Sequence, residues 1–143
     1  MITDALLRVS DAQALTTTAV STNTIDLSVA RDMGEGSELY FNFAMITAAV
    51  GGTSVKFEVI SSAAAALTSP TVIGSSDAIV TASLPIGTNV AVRVNPALAS
   101  LGQRYLGTRY TIVGTYSAGT VTADLVTDIQ DGKKFYASGF SVT

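Results

Sequence analysis

Hydrophobic and polar residues alternate along most of the chain. Phe41, Phe43 and Met45 fall on one face of an extended segment, and the turn-forming pair Gly51-Gly52 ends that segment. A period of two is typical of β-strands that bury one face. Similar segments recur along the chain, separated by turn residues at intervals of about 8–12 residues. The pattern therefore predicts an all-β protein.

The segments number roughly eight, and none alternates with helical stretches in the manner of βαβ units. We expect extended strands over 78–84 and 105–115, and at most one helical turn over 62–67, ended by Pro70. The prediction is a jelly-roll or β-sandwich of roughly eight antiparallel strands, with residues 1–143 as a single domain. Strand order, and with it the choice between a sandwich and a closed barrel, stays open at this point.

Composition narrows the chemistry. The chain has no histidine, cysteine or tryptophan, and only 13% of its residues are charged, although 48% are hydrophobic and the mean hydropathy is +0.44. Ordinary domains carry about a quarter charged residues. A histidine base and a cysteine nucleophile are excluded. We therefore expect no enzyme and no cofactor, but a protein that works by contact with other surfaces.

Charge and hydropathy argue against two classes of partner. The net charge is −3, and the only adjacent cations, Lys133-Lys134, follow Asp128 and Asp131. Nucleic-acid binding needs clustered cations, so no nucleic-acid partner is expected. No stretch reaches the roughly 18 apolar residues of a membrane span, and the amino terminus lacks the pattern of a signal peptide.

Three acidic or glycine-rich motifs bear on possible active or metal sites. Glu35 and Glu38 are better interpreted as solvated turn charges than as a glycosidase pair. Gly34-Glu35-Gly36 lacks the Lys-Ser/Thr of a phosphate loop. The set Asp124, Asp128 and Asp131 does not match the spacing of an EF-hand, which favours a solvated acidic edge and no metal site.

Candidate contact residues lie near both termini and on one predicted strand. Apolar termini often add to a sheet edge of the same or another chain, and Arg and Tyr are enriched at interface hot spots. The alternative for each is ordinary packing or an exposed face within the same chain. The candidate interface residues are Leu6, Leu7, Arg104, Tyr105, Arg109, Tyr110, Lys133, Lys134, Phe135, Tyr136 and Phe140.

Several segments, taken in order, carry a family resemblance that runs over nearly the whole chain. They are ARDMGEG (30–36), GGTSVKFEV (51–59), LTSPTVI (67–73), RYLG (104–107), RY (109–110) and GKKFYASGF (132–140). This ordered set resembles the small cement, or decoration, proteins of tailed-bacteriophage capsids, of the type first met in a podovirus of Bordetella.

The resemblance implies a jelly-roll fold without enzymatic activity. It also implies a homo-oligomer, typically a homodimer, on the outer surface of the virion head, where it bridges neighbouring copies of the major capsid protein and stabilises the shell. Two alternatives remain beside it. One is another virion component, such as a head-fibre base or a tail accessory protein. The other is a carbohydrate-binding β-sandwich that uses Tyr40, Tyr110 or Tyr116.

Overall fold

The computed structural model describes residues 3–29, 38–95 and 103–127. These residues form β-strands and two short 3₁₀ helices, Ala5–Leu7 and Thr81–Ser83. The all-β prediction is confirmed. The strands are β1 (Arg8–Ala14), β2 (Ala19–Val20), β3 (Ile25–Asp26), β4 (Tyr40–Gly51), β5 (Ser54–Ser62), β6 (Thr71–Ser75), β7 (Ile79–Val80), β8 (Asn89–Arg93), β9 (Tyr105–Val113) and β10 (Tyr116–Val126).

The strands form two antiparallel sheets. One has the order β1-β10-β4-β8, and the other has the order β2-β9-β5-β6, with β3 also paired to β9 and β7 also paired to β5. Each short pair, β2/β3 and β6/β7, occupies one position, so each sheet has four positions and the prediction of roughly eight strands agrees. Chain neighbours such as β4 and β5, or β9 and β10, lie in different sheets. This interleaving is that of a jelly roll, which settles the choice left open by the sequence.

An aromatic cluster joins the two sheets. Phe43 of β4 packs against Phe57 of β5 with ring centroids 5.0 Å apart, and Tyr110 of β9 meets both rings edge-on at 6.0 Å. All three side chains have at most 1% exposure. Edge-to-face rings add about 0.5–1.5 kcal/mol per pair to the burial of their apolar surface. The alternation seen in the sequence thus places its largest side chains between the sheets.

The two long sides of the sandwich are closed by hydrogen bonds between the sheets. On one side the amide of Asn95 donates to the carbonyl of Ile73 over 2.8 Å. Gly74 lies so close to the carbonyl of Arg93 that a Cβ there would approach the oxygen to 2.4 Å, which explains the glycine. On the other side the amide of Asn23 donates to the carbonyl of Val9 over 2.8 Å.

Two details of the predicted pattern were wrong. The segment 78–84 is extended only at Ile79–Val80 and then turns into the 3₁₀ helix Thr81–Ser83, which returns the chain to the other sheet. The strand at 105–115 ends at Val113, because Gly114 turns with a positive φ of 86°. Both errors concern the end of a strand. The alternation of hydrophobic and polar residues continues past the last residue that pairs with a neighbouring strand.

The buried hydroxyl of Tyr110 gives the first prediction. It donates to the Ser10 hydroxyl of β1 over 2.7 Å and so links the two sheets. We expect Tyr110→Phe to lower the free energy of unfolding by about 1–2 kcal/mol, because a buried hydrogen bond is lost and Ser10 loses a donor. Urea unfolding followed by far-UV circular dichroism measures this change.

The matched control is Tyr105→Phe at the partly exposed start of the same strand. It removes the same hydroxyl without opening a buried position, so a change below about 0.5 kcal/mol is expected. Equal effects of the two substitutions would contradict the linking role of Tyr110.

Candidate interaction surface

Strand order gives the sandwich two distinct ends. Arg8 at the start of β1 pairs with Asp124 near the end of β10, and Val126 of β10 pairs with Tyr40 at the start of β4. The starts of β1, β4, β6 and β9 and the ends of β3, β5, β8 and β10 therefore share one end, here named the terminal end. The β1–β2, β4–β5, β7–β8 and β9–β10 connections share the opposite end.

Four predicted contact residues lie at the terminal end. Leu6 and Leu7 belong to the 3₁₀ helix before β1, which is capped by the Asp4 carboxylate through a hydrogen bond from the amide of Leu6. Leu6 is 86% exposed and Leu7 is partly buried. Arg104 and Tyr105 precede and begin β9 at the same end. The structure therefore brings these residues to one end of the molecule, although they lie far apart in sequence.

The Arg104 side chain is held in place by its neighbours. Its Nε and one terminal nitrogen donate to the two carboxylate oxygens of Asp26, each over 2.7 Å. Its guanidinium carbon lies 5.0 Å from the centre of the Tyr105 ring. These hydrogen bonds lower the pKa of Asp26 to about 2. Because the Arg104 guanidinium is already fixed in this way, little further side-chain entropy would be lost if its remaining donors or the Tyr105 ring contacted another molecule.

Arg109 lies elsewhere, on the outer face of the β2-β9-β5-β6 sheet. Its Nε donates to Glu58 over 2.7 Å, and the Thr111 hydroxyl donates to the same carboxylate oxygen over 2.7 Å. Lys56 approaches the other oxygen at 3.6 Å. Burial alone would raise the pKa of Glu58, but these hydrogen bonds and charges outweigh it, so the pKa lies below its usual value. The Arg109 guanidinium is therefore engaged in an ion pair within its own sheet.

Tyr110 is a core residue, which removes it from the candidate contact surface. Its side chain has 1% exposure, and burial raises the pKa of its hydroxyl to about 12. The prediction that Tyr110 is a contact residue was wrong because neighbouring residues of a strand point to opposite faces of the sheet. Arg109 and Thr111 point outward, so Tyr110 between them must point inward.

Asp124 also differs from expectation. It was interpreted as part of a solvated acidic edge, but it has 4% exposure and accepts a hydrogen bond from Arg8 Nε over 2.8 Å. The two residues are cross-strand partners of β1 and β10, a pairing over a sequence distance that no local pattern signals. Asp128 and Asp131 lie outside the described residues, as do the predicted contact residues Lys133, Lys134, Phe135, Tyr136 and Phe140.

The ion pairs involve all the cations of the described ranges. Arg8, Lys56, Arg93, Arg104 and Arg109 each lie within 4.0 Å of a carboxylate oxygen. Paired cations lose much of their field toward solvent. The surface charge of the described residues is thus mostly neutralised locally, which leaves shape and apolar contact as the features on which a partner would depend.

The described ranges offer little in the way of other kinds of site. No group of three or more Asp or Glu side chains there is arranged to hold a metal ion. A shallow, open depression is lined by Gly74, Ser75, Arg93 and Asn95. None of the helices in these ranges is both long and apolar enough to cross a membrane.

The strand order defines the chain as a jelly-roll β-sandwich. A family model described as Bbp16 matches residues 9–125, which is most of the chain. The protein therefore belongs to the Bbp16 family, a family of Bordetella phage proteins, and this membership is consistent with a structural protein of a phage. No curated protein matches the sequence.

The lowered pKa of Asp26 predicts acid sensitivity. A carboxylate whose pKa is lowered on folding stabilises the native state above its unfolded pKa, and this stabilisation is lost as pH falls through the folded value. For Asp26 the window runs from 3.8 down to about 2. We expect Asp26→Asn to reduce stability at pH 7 and to narrow the difference in stability between pH 7 and pH 2.5.

Urea unfolding of both proteins at the two pH values tests this expectation. Asp77→Asn, at an exposed carboxylate that forms no ion pair within the described ranges, is the matched control and should leave the pH dependence unchanged. An Asp26→Asn protein with the full wild-type loss of stability at pH 2.5 would contradict the assignment.

Proposed function

We propose that this protein is a capsid cement protein. In this proposal it binds the outer surface of a phage head, bridges neighbouring copies of the major capsid protein and so stabilises the shell, without catalysis and without a nucleic-acid partner. Membership of the Bbp16 family over residues 9–125, on a jelly-roll fold, is the observation that carries the proposal. The ordered segments that resemble phage cement proteins agree with it.

The physical basis of cementing is linkage. A protein that binds the assembled shell and not its free subunits stabilises the assembled state by mass action. Contacts to several subunits act together, since each later contact forms at a high effective concentration. A homodimer, which the resemblance implies, would present each patch twice and suit a two-fold position between subunits.

The terminal end is the first of the proposed contact surfaces. It carries the most exposed of the large apolar side chains in the described ranges, Leu6, together with Arg104 and Tyr105 fixed by Asp26. The chain continues from this end into residues 128–143, whose sequence adds Lys133, Lys134 and three aromatic residues. Tyr and Arg are among the residue types enriched at binding hot spots.

Co-sedimentation with shells tests the proposal. The purified protein is mixed at increasing concentration with capsid shells that lack it, and bound protein is quantified against the major capsid protein. Saturable binding in a fixed ratio is the expected result. No binding at micromolar concentration would contradict a cement role.

Deletion of residues 133–143 tests the carboxyl-terminal segment. β10 ends at Val126, so the deletion leaves the described strands intact and the thermal unfolding midpoint should not change. We expect shell binding to weaken by on the order of tenfold, because one of several linked contacts is lost. Unchanged binding would show that the segment makes no contact with the shell.

The amino-terminal segment needs a smaller change. Removing residues 1–9 would delete Val9, which has no exposed surface, and the Arg8 partner of Asp124. Leu6→Ser changes the exposed side chain alone. Weakened shell binding with an unchanged unfolding midpoint is the expected outcome, whereas wild-type binding would remove Leu6 from the surface.

The two alternatives fare differently. A head-fibre base or tail accessory protein shares the phage family evidence, and copy number per virion separates it from a cement, which is present in hundreds of copies if the resemblance holds. The carbohydrate-binding alternative loses two of its three tyrosines, because Tyr110 is 1% and Tyr116 is 2% exposed. No observation in the structure favours it, and we do not retain it.

A further inference from the structure

Within the described ranges, the end opposite the terminal end carries no charged side chain. Its four connections and the strand ends beside them contain no Asp, Glu, Lys or Arg. The uncharged segments are residues 14–25, 44–55, 78–92 and 110–123. The jelly-roll topology brings these four separate segments together, and we name the surface they form the uncharged end.

Backbone hydrogen bonds make the uncharged end one continuous surface. The amide of Tyr116 donates to Thr16 over 3.1 Å, and the amide of Gly52 donates to Thr115 over 2.8 Å. The amide of Thr81 donates to Thr53 over 3.1 Å. Each bond joins two different connections, so all four are linked.

The same surface is held rigidly beneath its exposed side chains. The Tyr116 ring packs over Gly52, where φ is +57° and a Cβ would lie 2.2 Å from the ring. The Tyr116 hydroxyl lies 2.8 Å from the Thr81 hydroxyl, which also contacts the carbonyls of Gly51 and Thr53. A surface preorganised in this way binds without a large ordering cost.

Apolar side chains project from the uncharged end. It holds five of the seven exposed large hydrophobic residues of the described ranges, which shows that they are concentrated there. Val80 and Val113 flank Ser54 as cross-strand partners, so their side chains share one face. The five residues and their exposures are Ile46 44%, Val50 52%, Val80 54%, Ile86 70% and Val113 55%.

Charge complementarity defines the occupant. A charged partner surface would lose its hydration against this end and gain no opposite charge, which is strongly unfavourable. The partner surface must therefore also be uncharged and partly apolar. The uncharged end exposes aliphatic side chains among Ser, Thr and Gly, and its aromatic residue Tyr116 is buried. It therefore lacks the exposed aromatic anchors typical of a tight dimer interface. A contact of this kind gives low affinity alone. Overall affinity rises when the protein makes several such contacts on a lattice of identical subunits.

We infer that the uncharged end docks on an uncharged, partly apolar surface patch of the shell protein. The inference rests on the proposed function and adds a second contact surface at the opposite end from Leu6 and Arg104. A bridging protein needs at least two such surfaces, and the jelly roll places them at the two ends of its strands.

Lysine substitutions at the exposed valines test the inference. Val50→Lys, Val80→Lys and Val113→Lys each add a charge at a side chain that is more than half exposed, so the fold should tolerate them. Each should weaken co-sedimentation with shells by at least about tenfold, since a lysine would be buried without a partner. Ala12→Lys, at an exposed position of β1 outside the four uncharged segments, is the matched control and should bind as the wild type does.

The outcomes are separable. If the wild type binds shells and all three lysine variants bind equally well, the inference is overturned and the proposed function stands. If the wild type itself does not bind, the proposed function is contradicted. If sedimentation equilibrium shows a wild-type dimer that Val113→Lys dissociates, the uncharged end is a self-association surface and the inferred occupant is wrong. Should a lysine variant fail to fold, Val113→Ser removes the apolar side chain without adding a charge. Weaker binding of this variant would support the inference, and wild-type binding would count against it.

Discussion

The aromatic packing of Phe43, Phe57 and Tyr110 between the two sheets is the interaction on which the rest of the structure depends. It fixes the distance and register of the sheets, and the hydroxyl of Tyr110 ties β9 to β1 across the core. Since the chain lacks cysteine, no disulfide supplements this packing. Every connection at the two ends of the sandwich takes its position from it.

The charge distribution follows the same geometry. In the described ranges the ion pairs occupy the terminal end and the sheet faces, with examples at Arg104–Asp26 and Arg109–Glu58, while the opposite end has none. A molecule with one end that carries ion pairs and one uncharged end has two chemically different surfaces, which we propose as its two contact surfaces. Two such surfaces on a rigid body are what a protein needs in order to hold two neighbouring subunits of a lattice together.

The sequence predicted the fold class because alternation is a local property, and Phe43 and Phe57 lie where that alternation places them. It misplaced Tyr110, because neighbouring residues of a strand point to opposite faces and Arg109 and Thr111 occupy the outer one. It also missed the burial of Asp124 and Glu58. Their partners, Arg8 and Arg109, are brought to them by strand pairing over long sequence distances. The four uncharged segments are visible in the sequence, but only the topology shows that they meet.

The most direct test of this account is a cryo-electron microscopy reconstruction of shells saturated with the protein. The account predicts one ordered jelly roll at each occupied position, with its uncharged end against one shell subunit and its terminal end against a neighbour. Density that contacts the shell through a sheet face alone, or contacts a single subunit, would contradict it.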